Sequence, residues 1–335
     1  MANYKELEGF GVQTLATDPD SAGWAGSIFY NSTEGVFKTV KPGGIAVGTW
    51  ASGGNLNSSR SNAGGAGIQT SALMVGLDNA SPNPGNVEEY NGSTWSEQTD
   101  LTTGRNAKAM GANAEAVLAV GGYDPVVATG STKTEIWNGS SWTEVGDLNK
   151  KREAMGTFGI TTAGIIATGL ERGVGRPTDV ESWNGTSWTE VNNVNSGRSS
   201  LMGTGLQTSG IITGGSPAPA LNLVESWDGT SWTEVGDMNQ NRGRYGGGSG
   251  TSNTSAMVFG GYANPPTTVI ANTEVWDGSS WTEVNDLSTA RSDIQSGSNA
   301  GNTASLAFGG LTPTETTATE EWTVPDVVIN TLTTS

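Results

Sequence analysis

The 335-residue sequence contains neither cysteine nor histidine. Without cysteine there is no disulfide framework and no thiolate metal site. Without histidine, zinc sites built on imidazole, Ser-His-Asp triads and histidine acid–base chemistry are excluded as well. We therefore expect a protein that is not an enzyme, with no catalytic residues, no metal ligands and no cofactor.

Basic residues are also scarce, since 16 Lys and Arg stand against 33 Asp and Glu, for a net charge of −17. A field of this sign repels phosphate backbones and anionic lipid, which argues against nucleic acid and membrane surfaces as partners. No apolar stretch reaches the roughly 18 residues of a membrane span. The N-terminus has acidic residues at Glu6 and Glu8 and lacks the apolar run of a signal peptide. We expect no membrane insertion, no export by the common secretory route, and cationic or neutral partners.

Glycine and tryptophan, in contrast, are abundant, with 50 and 12 residues. Four near-identical segments each place two tryptophans around an Asn-Gly or Asp-Gly step: EIWNGSSWTE (135–144), ESWNGTSWTE (181–190), ESWDGTSWTE (225–234) and EVWDGSSWTE (274–283). Such a step supplies the positive φ angle of a tight β-hairpin. The near-copies therefore predict hairpins within an internal repeat.

The repeat extends beyond these four copies. The second tryptophan of the hairpin recurs every 44 to 49 residues, at Trp50, Trp95, Trp142, Trp188, Trp232 and Trp281. Ten residues after each of them is an arginine: Arg60, Arg105, Arg152, Arg198, Arg242 and Arg291. The first aromatic of each hairpin follows a glutamate by two residues, in the pairs Glu88/Tyr90, Glu135/Trp137, Glu181/Trp183, Glu225/Trp227, Glu274/Trp276 and Glu320/Trp322.

Each repeat unit predicts four short strands. Strand a follows the arginine, strand b is an apolar run that ends in glycine, strand c carries the Glu-x-aromatic pair, and strand d starts at the second tryptophan. Four strands in a repeat of this length are typical of a β-propeller blade. The first unit begins with a lone strand d at Trp50 and the last ends after strand c at Trp322. We expect these two strands to pair, which predicts an all-β, six-bladed propeller over 48–324.

The pattern resembles that of kelch-repeat propellers in the Gly-Gly after strand b, the Glu-x-aromatic, the later Trp and the Arg ten residues on. The resemblance covers about 48–324 and implies the fold, but little about activity, because kelch-like propellers serve as binding modules, scaffolds and occasionally enzymes. Galactose oxidase, a kelch-like propeller, holds copper with tyrosines and histidines and has a Cys-linked Tyr. This sequence has no His and no Cys, so that activity is excluded.

The repeated residues are predicted to be structural. An aromatic at a fixed repeat position does the same work in every copy, so the paired tryptophans are interpreted as packing between blades. The six arginines are expected to form inter-blade ion pairs with the strand-c glutamates or with Glu97, Glu144, Glu190, Glu234 and Glu283 of strand d. A ring of arginines that binds an anion in the channel, of the kind that sialidase-type propellers need, is the alternative.

Binding is instead expected in the loops between strands b and c, which vary in length and content, as in YDPVVATGSTKT (123–134) and YANPPTTVIANT (262–273). Variable loops at one end of a rigid scaffold are common recognition sites. The candidate binding residues are Tyr123, Lys133, Arg172, Arg176 and Tyr262.

The first 47 residues lie outside the repeat. GWAGSIFYNSTEGVFKTVKPGG (23–44) predicts a hairpin and resembles a short segment that recurs in bacteriophage tail-fibre and other virion surface proteins. We expect 1–47 to anchor the protein on other virion subunits, with the leader 1–22 docked on a neighbour. The β-prone tail, 325–335, is expected to cap the propeller or to join a neighbour's sheet.

Together these features predict a non-enzymatic phage virion protein, assembled in the host cytoplasm and released by lysis. Its propeller is expected to contact a host surface receptor or glycan, as part of a tail fibre or tail. Two alternatives stay open: a decoration or adaptor protein on the capsid head, and a bacterial surface propeller that binds carbohydrate.

Overall fold

The computed structural model describes residues 12–76, 85–217, 221–243, 246–263, 268–297 and 301–332. The chain divides into two units, one formed by Thr49–Thr323 and the other by Met1–Gly48 with Val324–Ser335. Within the described ranges both units are built of β-strands, without an α-helix, and two 3-10 turns occur, at Ala22–Trp24 and Ile45–Val47. The protein is therefore all-β.

The larger unit contains six sheets whose strands pair antiparallel in the order a-b-c-d. In this order, the first sheet is formed by Gly64–Ile68, Ser71–Val75, Val87–Tyr90 and Trp95–Gln98. The second is formed by Asn106–Asn113, Ala116–Asp124, Thr134–Trp137 and Trp142–Glu144. The third is formed by Gly156–Ile160, Ala163–Ala167, Val180–Trp183 and Trp188–Val191. A short strand, Thr129–Gly130, extends strand b of the second sheet.

The next three sheets repeat this order. The fourth sheet is formed by Met202–Leu206, Ser209–Thr213, Val224–Trp227 and Trp232–Glu234. The fifth is formed by Gly247–Ser252, Ser255–Phe259, Thr273–Trp276 and Trp281–Val284. The sixth is formed by Gln295–Ser296, Ala304–Phe308, Thr319–Thr323 and Thr49–Ser52. A separate two-stranded ribbon, Tyr262–Ala263 with Thr268–Val269, lies between strands b and c of the fifth sheet.

The c–d hairpins follow from their turn residues. In the third sheet Asn184 Oδ1 accepts hydrogen bonds from the backbone N–H groups of Thr186 and Ser187, at 2.9 and 3.0 Å. Gly185 between them has a φ of 94°, which a side chain would strain. Asp277 makes the same bonds in the fifth sheet, and the hydrogen bond from the Ser279 hydroxyl, together with these backbone bonds, lowers the pKa of its carboxyl to about 2. Asn and Asp can thus exchange in this turn.

Small residues in strands a allow neighbouring sheets to approach closely. A Cβ on Gly203, in strand a of the fourth sheet, would lie 2.8 Å from the backbone N of Thr157 in the third. A Cβ on Gly64, in the first sheet, would meet the Cβ of Ala109 in the second at the same distance. Glycine is therefore needed where the strands a pack together.

The apolar core lies between consecutive sheets. One buried cluster contains Leu73 of the first sheet and Val117 of the second, and another contains Phe158 of the third and Ile212 of the fourth. The first and sixth sheets share a cluster of the same kind, which includes Met74 and Phe308. Each sheet is thus stabilised by its neighbours rather than by a core of its own.

The smaller unit has one sheet in the order Gln13–Leu15, Ile28–Asn31, Val36–Pro42 and Val327–Thr331. The middle two strands form a hairpin, and the first pairs with Ile28–Asn31 in parallel. Phe29, Val40 and Val327 form its small core. The tail 325–335 is predicted to lie apart from the N-terminal segment, whereas its strand Val327–Thr331 pairs with Val36–Pro42 of that segment. Residues 1–11 of the predicted leader lie outside the described residues.

Candidate functional site

The paired aromatics lie in the core between sheets. Five of the second tryptophans are buried, and the ring centroids of the two aromatics on paired strands c and d lie 5.0 to 5.5 Å apart. Each second tryptophan also donates its indole N–H to the preceding sheet or to the segment that follows that sheet. Trp188 bonds to Thr134 Oγ1 of the preceding sheet at 3.0 Å. Trp142 bonds to the carbonyl of Thr99, which follows the preceding sheet, at 3.0 Å. The tryptophans therefore combine apolar packing with a directional bond between sheets.

The six repeat arginines are buried and pair with the strand-c glutamates, not with those of strand d. The pairs are Arg60–Glu88, Arg105–Glu135, Arg152–Glu181, Arg198–Glu225, Arg242–Glu274 and Arg291–Glu320. Burial lowers the pKa of four of the guanidinium groups, and the glutamate partner opposes this shift: Arg105, Arg198, Arg242 and Arg291. All six guanidinium groups thus have a carboxylate partner inside the larger unit.

The second oxygen of each glutamate has a partner that the sequence analysis missed. It accepts a backbone hydrogen bond from the residue seven positions after the second tryptophan: Asn57, Thr102, Asn149, Asn195, Asn239 or Ser288. In four copies the asparagine side chain bonds to the same oxygen. The signal was visible as a column of small polar residues at a fixed spacing in the repeat.

A cavity of about 370 Å³ opens where the segments after the repeat arginines meet the loops after strands b. Four of its lining residues stand two positions after a repeat arginine and have φ angles of 52° to 60°: Asn62, Ala154, Ser200 and Asp293. Left-handed backbone is unfavourable for residues other than glycine and is concentrated at functional sites. We call this space the mouth cavity.

Three of the five predicted binding residues line the mouth cavity: Tyr123, Arg172 and Arg176. The Arg172 guanidinium carbon lies 4.6 Å from the centroid of the Tyr123 ring, a cation–π contact. Arg172 Nη2 is also 2.9 Å from Glu153 Oε1, and Arg176 Nε donates to Ser199 Oγ at 2.8 Å. The loops of the second and third sheets thus meet at one site.

The other two predicted residues are placed elsewhere. Lys133 forms exposed ion pairs with Glu144 at 2.6 Å and Asp147 at 4.0 Å. Tyr262 begins the two-stranded ribbon, and its backbone pairs with that of Gly243. Neither is among the described residues that line the mouth cavity.

Several lining residues were not predicted, and Lys108, Glu153 and Asp293 are the charged ones. Lys108, which is 8% exposed, also lines a smaller cavity of about 60 Å³ beside Gly65, Gly203 and Gly248. Burial lowers the pKa of Lys108 to about 8, and the Asp293 carboxylate opposes the shift. These residues have no repeated counterpart in the sequence, so the repeat pattern does not reveal them.

In the ranges that the structure describes, no cluster of three or more acidic residues is arranged to hold a metal ion. The described residues also include no helix long and apolar enough to cross a membrane.

Successive four-stranded antiparallel sheets in an all-β chain indicate a β-propeller. The solved structure of YjhT is similar to this chain with a TM-score of 0.67, covering 82% of this chain and 99% of that one at 13% sequence identity. At this identity the likeness concerns the fold alone, and it supports the same class. No protein-family model matches the sequence, and no curated protein matches it.

Proposed function

We propose that the six sheets are the blades of a closed, kelch-like propeller. Thr49–Ser52 pairs antiparallel with Thr319–Thr323, so the sixth blade takes strand d from the start of the repeat region and strand c from its end. Contacts run between strands a of successive sheets and also between those of the sixth and first. Trp95 of the first sheet bonds to Thr319 of the sixth at 3.0 Å, just as Trp188 of the third sheet bonds to Thr134 of the second.

The proposed function of this propeller is non-enzymatic binding, with a host surface receptor or glycan held at the mouth cavity. The observation that carries the proposal is the convergence of Tyr123, Arg172 and Arg176 from two variable loops on one cavity. A cavity with an aromatic wall and several polar side chains is suited to a small polar ligand such as a saccharide unit. A rigid ring of blades supports these loops.

The second part of the proposal is that the protein is a virion component, held on other subunits by its N-terminal segment. Its support is the likeness of 23–44 to virion segments and the separate unit that this region forms with Val324–Ser335. Antibody labelling of particles from the producing culture, viewed by electron microscopy, tests it. Label at the tail fits attachment, label over the head fits decoration, and unlabelled particles would rule out a virion protein.

Binding is tested with the full chain and polysaccharide purified from the host envelope, by biolayer interferometry. Arg172→Ala and Tyr123→Ala are expected to weaken binding by about tenfold or more, because both remove side chains that line the cavity. Lys133→Ala and Tyr262→Ala are matched controls outside the cavity and are expected to change affinity by less than about twofold. Equal effects of the two pairs, or no binding by the parent protein, would contradict the proposal.

A further inference from the structure

Two side-chain oxygens at the mouth cavity are buried without a hydrogen-bond donor among the described residues: Glu153 Oε2 and Asn106 Oδ1. Both residues line the cavity, and the Glu153 residue is only 7% exposed. Buried polar atoms in folded proteins almost always have a partner, and exceptions call for an explanation. Both atoms are hydrogen-bond acceptors, so their partner has to be a hydrogen-bond donor.

Glu153 is held so that one carboxylate oxygen is engaged and the other is not. Its backbone N–H donates to the Leu170 carbonyl at 3.0 Å, and the Leu170 N–H donates back to the Glu153 carbonyl at 2.7 Å. Its Oε1 pairs with Arg172 Nη2 at 2.9 Å. The carboxylate is therefore fixed in place before any ligand arrives, which reduces the entropy lost on binding.

Arg172 links this carboxylate to the aromatic wall of the cavity. Its guanidinium group lies over the Tyr123 ring while it pairs with Glu153, so its charge is shared between two local partners. Of the remaining basic groups in the lining, Arg176 donates to Ser199 and Lys108 interacts with Asp293. The cavity lining thus contains two buried acceptor oxygens that have no donor among the described residues, while its cations interact with groups of the protein.

We propose that the mouth cavity binds a neutral or amine-bearing saccharide unit, whose hydroxyl or amino groups donate to Glu153 Oε2 and Asn106 Oδ1. The inference rests on the proposed function and adds the chemical class of the ligand and the residues that select it. A carboxylate-bearing sugar would bring a second negative charge to the unpartnered oxygen of Glu153, in a chain with a net charge of −17. Such a ligand is selected against by like-charge repulsion.

The test uses isothermal titration calorimetry on the full chain with two matched sets of sugars: glucose, glucosamine and glucuronic acid, and galactose, galactosamine and galacturonic acid. In at least one set we expect the neutral or amino sugar to bind about tenfold more tightly than the acid. Glu153→Gln is expected to weaken that binding by about tenfold, since it replaces one acceptor oxygen by a donor.

Glu171→Gln is the matched control, because it makes the same change in charge at a residue that stands between Leu170 and Arg172 in the chain but is not among the described residues that line the cavity. It is expected to leave affinity unchanged. Asn106→Ser provides a second variant should Glu153→Gln not fold, and circular dichroism melting checks both. Asn106→Ser is expected to weaken binding in the same direction, with the backbone pairing of strand a preserved.

Three results would overturn the inference: tighter binding of the acids, unchanged affinity in both Glu153→Gln and Asn106→Ser, or no binding of any of the six sugars. Envelope polysaccharide separates this failure from that of the proposed function. If the polysaccharide still binds and depends on Arg172, the function stands and only the ligand class is wrong. If it does not bind, the proposed function fails as well.

Discussion

Arg152 Nη2 lies 2.9 Å from Glu181 Oε1, and both side chains are almost completely buried. The same glutamate accepts from the backbone and the side chain of Asn149, at 2.8 and 2.7 Å through Oε2. Both oxygens of the buried Glu181 carboxylate therefore have donors, and the segment that precedes strand a is thereby fixed to strand c. The pair recurs in all six sheets, which makes it the conserved geometry of the repeat within this chain.

Removal of one partner is therefore expected to destabilise the protein strongly. Glu181→Leu leaves a buried guanidinium without its carboxylate and should lower the free energy of unfolding by about 3–5 kcal/mol. The double variant Arg152→Met/Glu181→Leu should be more stable than Glu181→Leu alone, because no unpaired charge remains. Urea unfolding measures all three.

The exposed pair Lys133–Glu144 is the control for that experiment, since its side chains are 37% and 49% exposed. Glu144→Leu should change the free energy of unfolding by less than about 1 kcal/mol. If Glu181→Leu lowered the free energy of unfolding as little as Glu144→Leu does, the structural role assigned to the buried pairs would be contradicted.

Trp188 provides a test of the packing between sheets. It is 5% exposed, its ring lies 5.2 Å from that of Trp183, and its indole N–H bonds to Thr134. Trp188→Ala should cost about 3–5 kcal/mol through the lost burial and the cavity left behind. Thr134→Val removes only the acceptor and should cost about 1–3 kcal/mol. If the two variants lost the same free energy of unfolding, packing would not be the main contribution of Trp188 to stability.

Lys108 is expected to make stability depend on pH. Its pKa is lowered to about 8 in the folded protein from the ordinary lysine value of 10.5, chiefly by burial. Between these values the unfolded chain holds a proton that the folded chain lacks, so stability from this group rises with pH in that window. At about 1.4 kcal/mol per pH unit, the rise is about 3 kcal/mol.

Lys108→Met removes the titrating group and should abolish the rise of stability with pH that comes from Lys108. It should also increase stability at pH 7. Urea unfolding of parent and variant at pH 7.5 and 10 measures the difference, and the exposed Lys151→Met serves as the control. The same pH dependence in the parent and in Lys108→Met would show that Lys108 is not buried as described.

Closure of the ring is open to a covalent test, because the chain has no cysteine of its own. Thr49 and Thr323 are register partners in the sixth sheet. The double variant T49C/T323C should form an intramolecular disulfide on mild oxidation and migrate faster on a non-reducing gel, with a gain in stability of about 2–4 kcal/mol. Either single variant should show no such shift. Dimers, or no crosslink at all, would argue against pairing of the two strands.

The repeat made most of the larger unit predictable. The positions of Trp, Arg and Glu gave the strand order in every unit, because each blade uses the same local contacts. Even the pairing of Thr49–Ser52 with Thr319–Thr323 could be predicted from the repeat. The first unit begins with a strand d that has no strand c before it, and the last unit ends with a strand c that has no strand d after it. The choice of strand-c over strand-d glutamates for the arginines needed coordinates, because both spacings are compatible with the sequence.

The mouth cavity was predictable only in part. Tyr123, Arg172 and Arg176 stood out as unusual residues in variable loops, whereas Glu153, Lys108 and Asp293 follow repeat arginines closely and have no repeated counterpart that would mark them. Their role depends on which loops face each other across the cavity, which is a long-range property. The pairing of Val327–Thr331 with the N-terminal segment was not predictable for the same reason, because its partner strand is nearly the whole chain away.

The most direct measurement of the central claim is a crystal structure of the full chain soaked with the saccharide that binds most tightly in solution. The account predicts electron density for the sugar in the mouth cavity, with donors within hydrogen-bond distance of Glu153 and Asn106 and its ring near Tyr123. Density for the sugar on another surface, with the mouth cavity unchanged, would contradict it.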